Sequence, residues 1–391
     1  MSEATKTAHH GLSEHSHGFG VPIQTRSERL RSQNLSDFAE ISTREEQWRY
    51  ITADRLGGLD QPGLDEFSGD IEALLAEGVE ASWIESDNPL FGSAGIPEDR
   101  VSAAGWEAAK AAYLISIPAS TSGAAVSTLN IRSVSADPAA LHIIVQAKRG
   151  SDSVVVIDHT GDATLSENIE FIIEDEAKLT VVSIQDWNAD TIHNGAQYAK
   201  LGRNSTFKHV MVTLGGSVVR MTPSAYFDDA GGDAALYGLY FADAGQYLEH
   251  RIFVDHATPN CKSRVTYKGA LQGNKAHTVW VGDVLIRAAA EGTDTYELNR
   301  NLLLTDGARA DSVPNLEIET GQIQGAGHAS ASGRFDDEQL FYLQARGLPE
   351  LEARRLVVRG FLMEVVQQIG IDALEERLAA AIEDELERSA G

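Results

Sequence analysis

Across residues 115–330 the chain alternates short apolar and β-branched runs with Gly, Asp and Asn turns, and helical periodicity is hard to find. Leu141–Val145, Leu179–Ile184, Phe207–Thr213, Tyr247–Val254 and Thr278–Val281 are runs of strand length. So many short strands in succession fit an antiparallel barrel, a sandwich or a stacked coil. The turns favour the coil. Glu176-Ala177-Lys178, Asn204-Ser205-Thr206 and Asp233-Ala234-Ala235 each precede a run, at spacings of 28 and 29 residues. Stacked repeats return in this way. No obvious two-residue Asn-Gly or Asp-Gly hairpin joins the runs. The expected fold is therefore mainly β with helical caps, built on a parallel β-helix.

The divisions follow from texture. Residues 1–24 form a His-rich tail, expected to be disordered, with His9, His10, His15 and His17 among Ser, Gly and Thr. Residues 25–114 read as an N-terminal helical domain. Its helical stretches are expected after Ser42-Thr43, over Leu64 to Ser82 and near Arg100 to Leu114. The β-helix core takes 115–332 and a C-terminal helical domain takes 333–391. There, Asp336 or Asp337 caps a helix closed by Gly347, and Pro349 opens the next. Leu356, Val357, Phe361, Val365 and Ile369 recur at helical steps, which predicts an apolar stripe.

Charge and composition narrow the function. A formal net charge of -26 repels phosphate backbones and anionic lipids, so neither nucleic acid nor membrane is an expected partner. No apolar run reaches membrane-spanning length, and the N-terminus lacks the apolar core of a secretory signal. A cytoplasmic location is expected. One cysteine, Cys261, rules out an internal disulfide and a Cys-only zinc site.

Few residues carry candidate chemistry. Phosphate-cradling loops, HExxH and nucleophile elbows are missing, and no nucleophile sits beside a base, so an enzyme is not expected. His328 stands alone among small residues in Gly325-Ala326-Gly327-His328-Ala329-Ser330-Ala331-Ser332-Gly333, and its imidazole is suited to binding a metal or carrying a proton. His256 and Cys261 are spaced as half of a soft-metal site or as a turn with a small buried thiol. Asp294 to Asn301 is dense in polar groups and reads best as an inward ladder that satisfies the backbone.

Several segments, in order, resemble the SufD family of the SufBCD iron–sulfur cluster assembly complex. Thr43 to Tyr50 is similar to its R-x-E-x-WRY element, and His256 through Ser263 to Gly269 to its H…S…YKG element. Thr293 to Leu304 is similar to TDA-x-Q-x-NRNLLL. Pro314 to Ile318, His328 and Asp337 to Gly347 are similar to P-x-LEI…H…DEEQLFYL-x-SRG. The resemblance implies a right-handed parallel β-helix, pairing with SufB through the β-helix ends, and docking of the SufC ATPase on the C-terminal helices. Arg354, Arg355 and Arg359 would then meet that partner. The resemblance also places His328 at the SufB–SufD junction, contributing to a nascent iron–sulfur cluster or iron site shared with SufB. Relatives often carry a cysteine two residues before this histidine, and here the position is Ala326. A cluster needs about four thiolate or imidazole ligands, so one cysteine makes the chain a poor scaffold alone. The reading leaves open whether the isolated chain forms a homodimer. Removal of the chain after Gly347 is expected to abolish ATPase docking and leave the β core folded. The competing readings are a β-helix polysaccharide lyase or hydrolase and a purely structural interaction protein.

Overall fold

The computed structural model describes residues 29–121, 123, 125–334 and 337–388. The His-rich segment 1–24 lies outside them. The N-terminal part differs most from expectation. Three single 3-10 turns, one at Glu46–Trp48, stand where longer helix was expected. Leu64 to Ser82 is not helical. It contains β1 (Asp65–Glu66) and β2 (Asp70–Leu74) and runs into β3 (Glu80–Glu85). The helix near Arg100 is α1 (Arg100–Ala108), capped by Asp99, whose Oδ1 accepts from the Ser102 N–H at 2.8 Å. It gives way to β4 (Ala111–Ile117), which pairs antiparallel with β3. The physical reason is non-local. β1 and β2 pair with β5 (Ala125–Ala147), the first strand of the coil, and β4 pairs parallel to it. Ladder hydrogen bonds to the edge of β5 outweigh weak helix propensity.

From β5 the chain winds as a parallel β-helix. β5 and β6 (Asp152–Ile173) are long strands that bend and serve two sheets. The first sheet continues through β8 (Ile192–Leu201), β10 (Val218–Phe227), β12 (Tyr247–His256), β14 (His277–Ile286) and β16 (Arg309–Ile318). The second takes β7 (Lys178–Trp187), β9 (Thr206–Thr213), β11 (Asp233–Ala242), β13 (Lys262–Leu271), β15 (Asp294–Leu303) and β17 (Gly325–Arg334). The turn signals have a conformational cause. Glu176, Asn204, Gly231, Asn260 and Gly292 all take left-handed backbone, each two residues before a strand of the second sheet. Each N–H donates to the next turn of the coil: Glu176 to Arg203 O at 2.8 Å, Asn204 to Ala230 O at 3.0 Å, Asn260 to Glu291 O at 2.7 Å. Asn and Gly tolerate that conformation best. The third sequence signal, Asp233, starts its strand, and the left-handed residue there is Gly231.

The lumen is packed with Leu129, Ile143, Leu165, Phe171, Leu236, Leu248, Val265 and Trp280, all almost fully buried. Outside, Trp48, Ile51, Leu56 and Leu59 cover Val218, Tyr247 and Val279 of the first sheet. The C-terminal helices α2 (Asp337–Ala345), α3 (Glu350–Val366) and α4 (Asp372–Arg388) lie along the flank of the second sheet. Val358, Leu362 and Val365 pack there with Val182, Val210, Leu239 and Phe241. The apolar stripe is rotated from expectation. Val365 and Ile369 are buried, but Leu356 is 51% exposed and Leu362 is buried. Lys268 Nζ reaches Phe361 O at 3.1 Å and pairs with Glu364, which fixes the register of α3 on the sheet. Among the described residues no strand pairs with the outer edges of β16 and β17. No described helix is long and apolar enough to cross a membrane.

Candidate functional site at the open end of the coil

β17 is the last strand, and its pairing fixes where His328 points. It runs in register with β15: Thr295 opposite Ala326, Glu297 opposite His328, Asn299 opposite Ser330 and Asn301 opposite Ser332. Successive strand residues alternate faces. Thr295, Glu297, Asn299 and Asn301 are buried, whereas Tyr296 and Arg300 are exposed. Ala326 packs against the lumen core. A Cβ on Gly327 would stand 3.3 Å from the Tyr296 ring, on the outer face. His328 therefore lies on the lumen side, one turn beyond Glu297. It is exposed, and among the described residues no further turn covers it.

The ladder below was legible in the sequence. Asn299 Nδ2 donates to Tyr240 Oη at 3.0 Å, and Tyr240 Oη donates to Asn301 Oδ1 at 2.6 Å. Asn301 Nδ2 donates to Asn299 Oδ1 at 2.8 Å and reaches Ser332 Oγ at 3.2 Å. Ser312 Oγ donates to Asn299 Oδ1 at 2.6 Å. Buried amides are satisfied by one another, so the ladder is structural.

The other sequence candidates separate from His328. Cys261 is fully buried in the lumen at the corner before β13, with Sγ 3.4 Å from Thr258 Oγ1. His256 Nε2 is bonded to Ser263 Oγ at 2.9 Å, its ring stacks on Phe227, and burial pushes its pKa down to about 3. This pair is core, not half of a metal site. Arg354, Arg355 and Arg359 each form an ion pair within the helical layer, with Glu350 at 3.0 Å, Glu387 at 3.4 Å and Glu383 at 3.1 Å.

One cluster escaped the sequence reading, because its members share no spacing. His159, Glu167 and His193 are fully buried, with their nearest ligating atoms within 4.8 Å of one another. His159 Nδ1 donates to Ile184 O at 2.9 Å, and its Nε2 meets Glu167 Oε1 at 3.0 Å. Burial opposes charge on both groups, but each stabilises the other. The His159 pKa is raised and that of Glu167 is held at about 2. Trp187 Nε1 donates to His193 Nδ1 at 3.0 Å. An indole N–H only donates, so the proton of neutral His193 sits on Nε2, facing Glu167 Oε2 at 3.3 Å. A nitrogen carrying its proton cannot ligate a metal. The triad is a buried ion pair with a second histidine beside it.

Residues 131–361 match the family model for the SufBD core domain of SUF-system FeS cluster assembly. An iron–sulfur cluster assembly SufBD family protein of Mycobacterium tuberculosis is 50% identical over 373 residues, 93% of each chain. One of Mycobacterium leprae is 49% identical over 380 residues, 94% of this chain and 96% of that one. A second such protein of M. tuberculosis is 25% identical over 234 residues, 60% of this chain and 27% of its own length. With the parallel coil and its open end, these matches lead to one conclusion: the chain belongs to the SufBD family of iron–sulfur cluster assembly proteins.

Proposed function

We propose that this chain is a non-catalytic, SufD-type scaffold subunit. It pairs with a SufB-type β-helix through the open β16–β17 end and docks a SufC-type ATPase on its C-terminal helices. His328 contributes one ligand or a proton to a shared site where the nascent cluster is built. The observation that carries the reading is the placement of His328 on the lumen side of a last strand with an unpaired edge. An unpaired edge is a template for another chain. The only cysteine is fully buried at the corner before β13, two turns below β17, so on this reading the thiolate ligands come from the partner. M. tuberculosis has two distinct SufBD family proteins, which fits a pair of unlike subunits.

The test is the His328→Ala variant in the complex with SufB- and SufC-type partners. Co-elution should be unchanged, while cluster absorbance after reconstitution with iron and sulfide falls severalfold. Full cluster yield in the variant defeats the reading.

A further inference from the structure

Among the described residues, one buried carboxyl group in the lumen has a hydrogen-bond partner for neither of its oxygens. Glu297 is 1% exposed, and neither carboxylate oxygen has a hydrogen-bond partner. Other buried carboxylates among the described residues are held. Asp99 has Arg220, Glu167 has His159, Glu170 has His142, Asp255 has Arg287 and Asp283 has Asn315. An unpaired buried carboxyl strongly destabilises a fold if ionised. Valine fills the in-register position one turn below, Val265. An apolar residue is thus accommodated in this same column, and the acid at 297 calls for another explanation.

The surroundings explain why Glu297 has no partner. Its Oε1 lies against Gly282 on the facing sheet, where a Cβ would come within 2.7 Å, and the Trp280 ring borders the same glycine. The next residue in that column is Pro314, opposite Gly282, which has no N–H to offer. Burial, then the negative charge of Asp283, pushes the Glu297 pKa up to about 8. The pocket thus repels a second negative charge and supplies no cation of its own.

The opposite position on the last turn is His328. Neighbouring strands in a sheet lie about 4.8 Å apart. Transition-metal bonds to carboxylate oxygen and imidazole nitrogen are about 2.0–2.2 Å. Two lumen-side ligands on adjacent turns can therefore share one ion. We propose that Glu297 and His328 together form a binding pair for a divalent transition-metal ion at the mouth of the coil. A mixed nitrogen and oxygen set suits Fe²⁺, Co²⁺ or Zn²⁺. Two protein ligands leave the outward positions of the ion free for thiolates or sulfide. This inference rests on the reading of His328 as a site residue. It adds that the chain holds its metal with a buried carboxylate, deprotonated when the ion binds.

The probe is Co²⁺, followed by its visible absorption and by chelator competition. The full-length chain is used, with His9, His10, His15 and His17 changed to Ser in every variant so that the tail does not compete. Glu297→Gln preserves the shape of the neutral acid, so its melting temperature should not fall. Glu297→Gln and His328→Ala should each weaken Co²⁺ binding by roughly a hundredfold, at the upper end of the losses seen when even outer-shell partners of a metal are removed. Wild-type affinity in folded Glu297→Gln overturns the pair. That result leaves the shared-site reading intact if His328→Ala still loses cluster in the complex. Full cluster yield in His328→Ala, with Co²⁺ binding lost in both variants, would instead remove the shared site and keep the pair.

Discussion

Arg220 Nη1 donates to Asp99 Oδ2 across 2.7 Å, joining the cap of α1 to the fourth turn of the coil with the guanidinium entirely out of solvent. The same guanidinium stacks 4.2 Å over Trp48 and lies 3.4 Å from Glu249 Oε2. One side chain therefore ties the irregular N-terminal layer to the first sheet. Replacing one partner of a buried ion pair leaves the other charge uncompensated, at about 3–5 kcal/mol. Arg220→Met should lower the urea midpoint accordingly. The double variant Arg220→Met with Asp99→Asn should recover part of the loss. Additive losses would show that the two residues act independently.

A second prediction concerns acid. Burial pushes His209, His250 and His256 down to about 3. In the unfolded chain each titrates near 6.5. Protons are then taken up on unfolding at any pH between these values, and stability falls as the pH drops below about 6.5. Each histidine adds about 1.4 kcal/mol per pH unit to the slope in the middle of that window. The His159–Glu167 pair acts differently: the raised histidine loses its contribution at high pH, and the depressed acid loses its own as the pH falls from about 4.5 to about 2. His209 has no partner for either ring nitrogen. His209→Leu should flatten the slope by about one proton between pH 4 and 6, read from urea midpoints. An unchanged slope would mean that His209 is not held neutral.

The close approach of Gly269 to Tyr240 is a third point. A Cβ at 269 would stand 1.9 Å from Tyr240 Cε2, and that ring is pinned by Asn299 and Asn301. Gly269→Ala should destabilise by about 1–3 kcal/mol through overpacking. Tyr240→Leu in the same background should cost less than it does alone. Equal costs in both backgrounds would rule out the clash.

Much of the coil was legible because its signals are local. The apolar runs at Leu179–Ile184 and Phe207–Thr213 fall inside β7 and β9, and the corner residues Glu176 and Asn204 mark real left-handed turns. β8, β10, β16 and β17 were missed as runs. Gly325–Arg334 is mostly Gly, Ala and Ser, with no strand propensity of its own, and only pairing with β15 makes it a strand. Glu297 was read as part of the ladder from Asp294 to Asn301. Its isolation depends on Gly282 and Pro314 across the lumen, which no local pattern encodes.

The position of α3 changes the outcome of truncation. Loss of residues after Gly347 would bare Val182, Ile184, Val210, Val212, Leu239 and Phe241 on the second sheet. A contiguous apolar face of that kind drives association. The truncated chain should be recovered mainly as aggregate, not as a folded β core that has merely lost a docking site. Recovery as a soluble monomer with native circular dichroism would contradict this. Substitution of exposed Leu351 or Leu356 tests ATPase docking without removing that cover.

The left-handed corner residues have a further consequence. The pairing offset between turns is uneven: Ile192 pairs with Val218, 26 residues on, and Lys262 with Asp294, 32 residues on. Yet from Glu176 to Gly292 the corner residue always precedes its strand by two. Extra residues are taken up before the corner, and the strand after it starts afresh. Errors of length do not accumulate along the coil. A side chain far down the chain is aligned by its nearest corner, so insertions in the earlier loops should leave the mouth of the coil where it is.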